Sequence, residues 1–247
     1  MRSPMSCGGT RSLRPCRRWI RRIGITGISW GGYLTCIITG IDDRLRVSIP
    51  VYGCGFLHED SHWAPEFAKM DETYRRRWIE NFEPSSYLAG VRCPILFVNG
   101  TNDFAYPLDS YKKSYSLVAG PLFLKIEPRM KHSHQAGWAP PEIAAFADSI
   151  MKGTAPLPAL GPAKVERGRI SASVNGPVPI KACTLHYTTD TGPWNDRVWK
   201  SSPAEIEGGT VSAFLPEADA LVCYLNVTDS RGLTVSTPHQ EIASRSR

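Results

Sequence analysis

The sequence predicts two units in series: an α/β unit built on a parallel sheet with flanking helices, then a small all-β sandwich. Three observations predict this. In residues 22–152 short apolar runs alternate with helical patterns, the signature of βαβ units. Residues 153–168 hold Pro156, Pro158, Pro162, Gly153 and Gly161, a linker composition. In residues 169–247 short β-branched or aromatic runs are separated by turn residues, as in antiparallel sandwiches.

Elements of the first unit follow in order. Arg22–Gly27 reads as a short strand ending in Gly. Tyr33–Thr39 follows a Gly pair and reads as a buried helix. Val47–Tyr52 is a strand, with Pro50 expected near its end, where a missing N–H does no harm. Pro94–Asn99 and Leu122–Ile126 are apolar runs of buried-strand length. Pro141–Ile150 places Ile143, Phe146, Ala147 and Ile150 on one helical face. The stretch between Gly53 and Leu88 is too long for a simple loop and is expected to hold one or two helices over the sheet edge or the mouth of a site.

In the second unit the expected strands are Ile170–Val174, Ile180–Thr188, Arg197–Lys200, Thr210–Leu215, Leu221–Thr228 and Leu233–Ser236. Cys183 and Cys223 are each in phase with the apolar side of their run, as a buried pair across two sheets would be. Two free buried thiols are the expectation and a disulfide the alternative, because phase alone does not set the distance. Asn226-Val227-Thr228 matches a glycosylation sequon, but within a strand the match reads as chance.

Charge narrows the function. The chain has 247 residues and a formal charge of +6. Residues 1–22 carry seven arginines and no acid, so removing them from the total leaves −1 for the rest. The body is near neutral, and no nucleic-acid partner is expected. Residues 1–21 read as a disordered, Arg-rich arm: Pro4, Gly8, Gly9 and Pro15 break any amphipathic helix. No apolar run of membrane-spanning length occurs, so no membrane partner is expected. The seven cysteines have no CxxC spacing, which argues against zinc and thioredoxin-like chemistry. With no phosphate loop, metal cluster or cofactor fingerprint, no cofactor and no bound metal are expected. His58 and His62 form an H-x3-H pair beside Glu59 and Asp60, which reads as a solvated helix face rather than a metal site.

Chemistry concentrates in Gly27-Ile28-Ser29-Trp30-Gly31, a G-x-S-x-G between a strand and an apolar helix. A serine on so sharp a turn takes strained backbone angles, and glycines on either side are expected to let the turn close. The following helix presents free N–H groups toward developing negative charge. An activated serine needs a base, and the base an orienting acid. Asp103 follows the run Ile95–Val98 directly and is the expected acid. Asp109, just past Pro107, reads as a first-turn helix acid. The expected base is His134, with His132 as the alternative, because His134 has more loop with which to reach back to Ser29.

The segments GITGISWGGYLTCIITGIDDR, SIPVYGCGF, PILFVNGTNDFAYPLDSYKKSY and HSHQAGWAPPEIAAFAD resemble the acetyl xylan esterase and dienelactone-hydrolase-like group of α/β-hydrolases, and are similar to prolyl-oligopeptidase catalytic domains. The resemblance covers residues 22–152. It implies Ser29 as nucleophile, Asp103 as acid, His134 as base and the backbone N–H of Trp30 as one oxyanion donor. It implies a serine esterase for short acyl, acetyl above all, esters, with carbohydrate esters among the substrates. A serine peptidase and a non-catalytic remnant with a β-sandwich interaction module are the alternatives. The trailing unit is similar to accessory Ig- or fibronectin-like sandwich domains. Family members carry a long stretch before the elbow, and here only 28 residues precede Ser29. The expectation is therefore a partial sheet lacking its N-terminal half, whose elbow strand is an exposed edge open to self-association.

Overall fold

The structure, a computed structural model, describes residues 23–243. The predicted Arg-rich arm lies outside the described residues. The first sheet has four parallel strands in sequence order: β1 (Ile23–Ile28), β2 (Leu45–Val51), β3 (Ile95–Gly100) and β4 (Leu122–Glu127). β3 is buried at every position, as expected of a strand covered on both faces. Pro50 is the last residue but one of β2.

Helix α1 (Trp30–Ile41) returns the chain from β1 to β2 and buries Tyr33, Cys36 and Thr39. Its close seat on the sheet depends on two glycines: a Cβ on Gly53 would lie 1.9 Å from the carbonyl carbon of Gly32. The long segment after β2 holds α2 (Ala64–Lys69) and α3 (Glu72–Phe82), the latter capped by Asp71, whose side chain accepts from the Tyr74 N–H. Then come α4 (Leu108–Ser116), α5 (His134–Trp138) and α6 (Glu142–Met151). Among the described residues no helix is long and apolar enough to cross a membrane.

The second half forms two antiparallel sheets. One contains β5 (Ala159–Leu160), β6 (Lys164–Glu166), β7 (Arg169–Asn175), β10 (Glu205–Glu207) and β11 (Thr210–Phe214). The other contains β8 (Ile180–Thr188), β9 (Lys200–Pro203), β12 (Ala220–Asp229), β13 (Thr234–Ser236) and β14 (Gln240–Ala243). The Pro- and Gly-rich stretch is thus not all linker, because β5 and β6 both pair with β7. The cysteines are free and buried as expected, but they do not face each other across two sheets. Cys183 and Cys223 lie on neighbouring strands of one sheet, opposite Val227 and Tyr187 respectively, and both are free, buried thiols.

The two halves share a core and a hydrogen-bonded seam. The outer edge of β4 is closed by side chains: Ser236 Oγ accepts the Ile126 N–H at 2.7 Å, and Asn226 Nδ2 donates to the Ile126 carbonyl at 3.1 Å. The sequon asparagine is therefore a buried structural bridge. Beside it the Lys125 ammonium lies 2.7 Å from Glu127 and 3.7 Å from Glu142, and Glu142 accepts the Thr234 N–H at 2.6 Å.

His186, on β8, bonds Ser201 through Nδ1 at 2.8 Å and stacks on Tyr224. Burial pulls its pKa down to about 4, with Lys125 adding to the shift and Glu127 opposing it. A histidine that stays neutral when folded favours unfolding once the unfolded chain protonates it. Unfolding free energy should therefore fall as pH drops from about 6.5 toward about 4. Chemical denaturation across that range checks this, and His186→Asn should flatten the dependence.

Candidate active site

Ser29 sits between β1 and α1 with φ 57° and ψ −116°, a conformation that costs a non-glycine residue energy. Its N–H donates to the Val51 carbonyl at 2.9 Å, and its carbonyl accepts the Tyr33 N–H at 2.9 Å. β2 on one side and α1 on the other hold the strained turn. The glycines do not contribute equally. A Cβ on Gly27 would lie 2.4 Å from the Gly31 carbonyl oxygen, whereas one on Gly31 would meet nothing within 4 Å. The close-approach partner on the helix side is Gly32, where a Cβ would lie 2.4 Å from the Val51 oxygen. Trp30 opens α1, so its N–H has no acceptor within the helix.

Asp103 follows β3 and is buried. One oxygen, Oδ1, accepts the N–H groups of Ala105 at 2.9 Å and Tyr106 at 2.8 Å. The other, Oδ2, lies 2.7 Å from His132 Nδ1. The same carboxylate shapes its loop and holds an imidazole. His132 Nε2 lies 2.8 Å from Ser29 Oγ. Asp109 is elsewhere, in the first turn of α4, 3.6 Å from Lys113, and burial raises its pKa.

The structure places the alternative histidine, not the expected one, at this position. The histidine between Ser29 and Asp103 is His132, and His134 is exposed at the start of α5. Loop length misleads here because the turn after β4 is tight. Arg129 takes φ 55°, and the Tyr52 hydroxyl donates to the Lys131 carbonyl at 2.6 Å, so His132 already faces the strand ends. Ser133 then caps α5, accepting the Ala136 N–H at 3.1 Å, and commits His134 to the outer surface.

Aromatic rings confine the imidazole. Tyr52 stacks on it at 4.5 Å, with Phe104 at 5.2 Å and Tyr106 at 6.0 Å between centroids. Trp63 packs 5.2 Å from Tyr106 and 6.1 Å from Trp30. His58 and His62 belong to this aromatic surround, His58 against Phe67 and His62 against Phe104. Sequence reasoning missed Tyr52, Phe104 and Tyr106 as site residues. The one available signal was their density close to the motif stations. Tyr52 has φ 61° without being glycine, a feature no local pattern announces.

A strained serine at the end of a parallel strand, followed by the helix whose N-terminus it faces, defines an α/β-hydrolase-like fold. The model of the family described as PhoPQ-activated pathogenicity-related protein matches residues 63–191, just over half of the sequence, and the chain belongs to that family. Its fold is similar to an acetyl xylan esterase from Paenibacillus sp. R4, with 19% identity over 46% of this chain and 41% of that one, TM-score 0.39. It is also similar to acetyl xylan esterase 1 from Thermoanaerobacterium sp. JW/SL YS485, with 17% identity over 53% and 45%, TM-score 0.39. The acylaminoacyl peptidase of Pyrococcus horikoshii shows 24% identity over 54% of this chain and 23% of that one, TM-score 0.42. The chain thus spans less than half the length of these structures. A comparison with the curated proteins finds no match.

The glycine asymmetry is testable. Gly27→Ala should lower stability by about 1–3 kcal/mol through overpacking against backbone. Gly31→Ala should stay within about 0.5 kcal/mol. Denaturant titration of both variants distinguishes them.

Proposed function

We propose that the protein is a serine hydrolase acting on short acyl esters, acetyl esters first. Ser29 is the nucleophile, His132 the general base and Asp103 the group that orients it. The observation that carries this reading is the unbroken hydrogen-bonded run from Asp103 through His132 to Ser29 at the carboxyl ends of parallel strands. Distances of 2.7 and 2.8 Å suit proton transfer without rearrangement.

In this reading Ser29 Oγ attacks the ester carbonyl carbon as His132 Nε2 takes the hydroxyl proton. The carbonyl oxygen gains negative charge beside the Trp30 N–H, at the positive end of α1. Collapse breaks the bond to the alcohol oxygen, and His132 returns the proton to that leaving group. Water then attacks the acyl-enzyme, losing a proton to His132. Oγ leaves, recovers the proton and frees the carboxylic acid. Ester, water and three side chains account for every proton and electron pair.

Two assays test this. A fluorophosphonate probe should label the purified chain at Ser29, and Ser29→Ala should abolish labelling. Hydrolysis of 4-nitrophenyl acetate should fall at least ~1000-fold in Ser29→Ala and in His132→Ala. His134→Ala should stay within about twofold, as expected of an exposed residue outside the hydrogen-bonded run. Equal rates for the parent chain and Ser29→Ala would sink the proposal.

A further inference from the structure

Tyr106 adjoins all three members of the hydrogen-bonded run. Its N–H donates to Asp103 Oδ1 at 2.8 Å. Its ring stacks on the His132 imidazole, 6.0 Å between centroids and 13° from parallel. That imidazole in turn lies 2.8 Å from Ser29 Oγ. Burial raises the Tyr106 pKa and Cys54 adds to the rise, while Ser29, as a hydrogen-bond partner of the phenolate, opposes both. The Tyr106 hydroxyl therefore faces Ser29 and stays protonated at neutral pH.

The phenol is held in this position. The Tyr106 carbonyl accepts from Asn99 Nδ2 at 2.8 Å, and Trp63 packs on the ring at 5.2 Å. Tyr106 is fully buried, and among the described residues its hydroxyl oxygen has no hydrogen-bond partner. A buried hydroxyl left unpaired destabilises a fold. Tyr115, in α4, carries another such hydroxyl, but its ring packs 6.4 Å from Phe97 and its polar neighbours are His239 and Glu241 of the β-rich half.

We propose that Tyr106 is a further catalytic residue of the Ser29 site, its hydroxyl donating a hydrogen bond to Ser29 Oγ whenever that oxygen carries developing negative charge. This rests on the reading of Ser29, His132 and Asp103 given above. In the free site Oγ keeps its proton, directed at His132 Nε2, and is a weak acceptor. When His132 takes that proton, Oγ becomes a much stronger acceptor, and the idle O–H of Tyr106 gains a partner. The same bond forms again when Oγ leaves the acyl carbon as the acyl-enzyme breaks down. Tyr106 gives up no proton in either step. The proton moves between Oγ, Nε2 and the leaving group or water, as described above. Tyr106 meets the imidazole through its face, so it does not compete for Nε2, whose lone pair lies in the ring plane. A bond made only as charge develops lowers the barrier without tightening substrate binding.

The test uses the full chain, 4-nitrophenyl acetate, and two variants that each remove one buried hydroxyl and keep the ring, Tyr106→Phe and Tyr115→Phe. In Tyr106→Phe kcat should fall about 100-fold, with KM within about twofold of the parent. Fluorophosphonate labelling of Ser29 should slow in the same variant, since it too begins with attack by Oγ. The denaturation midpoint of Tyr106→Phe should equal or exceed that of the parent, because the hydroxyl removed had no partner. Tyr115→Phe should keep kcat within about twofold. A loss in Tyr106→Phe of less than about tenfold, a loss carried by KM instead of kcat, a lowered midpoint, or an equal kcat loss in Tyr115→Phe each overturn this assignment and leave the reading of Ser29 standing. A parent chain that neither hydrolyses the ester nor takes the probe overturns the catalytic reading, and the role of Tyr106 with it.

Discussion

The Asp103 carboxylate is the constraint on which the site depends. It is buried and both of its oxygens are committed, one to two backbone N–H groups and the other to an imidazole nitrogen. Charge-assisted bonds of this kind are about twice as strong as neutral ones, and their geometry is specific. Because one oxygen pins the Asp103–Tyr106 turn, the other cannot wander, and the ring of His132 inherits that fixity. Tyr52 and Tyr106 flank the same ring. Ser29 needs no motion to meet it, since its own backbone is held from β2 and α1. The order of elements along the chain converts into a short hydrogen-bonded run because four parallel strands bring their carboxyl ends to one rim.

Much of this was legible in the amino-acid sequence, for physical reasons. Strands covered on both faces read as unbroken apolar runs, so β2, β3 and β4 were visible within a residue or two. The elbow was visible because a serine at a strained strand-to-helix turn needs a glycine just before it, at Gly27, between an apolar strand and an apolar helix. Asp103 was visible as a candidate because it directly follows an apolar run. Legibility failed where distance in space is unrelated to distance in sequence. His132 and His134 differ by two positions, and only the Tyr52 hydroxyl on Lys131 and the Ser133 cap decide which one turns inward. Equally, the need for Gly27 and Gly32 rather than Gly31 comes from the seat of α1 on β2. A linear motif carries no information about that seat.

The β-rich half shows the same division. Its longer strands follow from alternation, and Ile180–Thr188 is found with the expected ends. β5, β6, β10 and β14 are short strands of two to four residues, formed because a neighbour supplies a ladder rather than because their residues prefer one. The two buried cysteines share an apolar phase without facing each other, since in-phase residues on adjacent antiparallel strands can sit several pairs apart. Asn226 illustrates how a surface-modification pattern can coincide with a buried role: its amide joins two sheets.

The closed edge of β4 has a consequence for how the molecule comes apart. Ser236 and Asn226 satisfy the backbone groups of Ile126 that would otherwise point at solvent, and Glu142 does the same for Thr234. Neither half can leave without stranding hydrogen-bonding groups that the other had supplied. Dissolution of the chain is therefore a joint event, with the β-rich half serving as the missing neighbour of the last parallel strand rather than as an appendage on a tether.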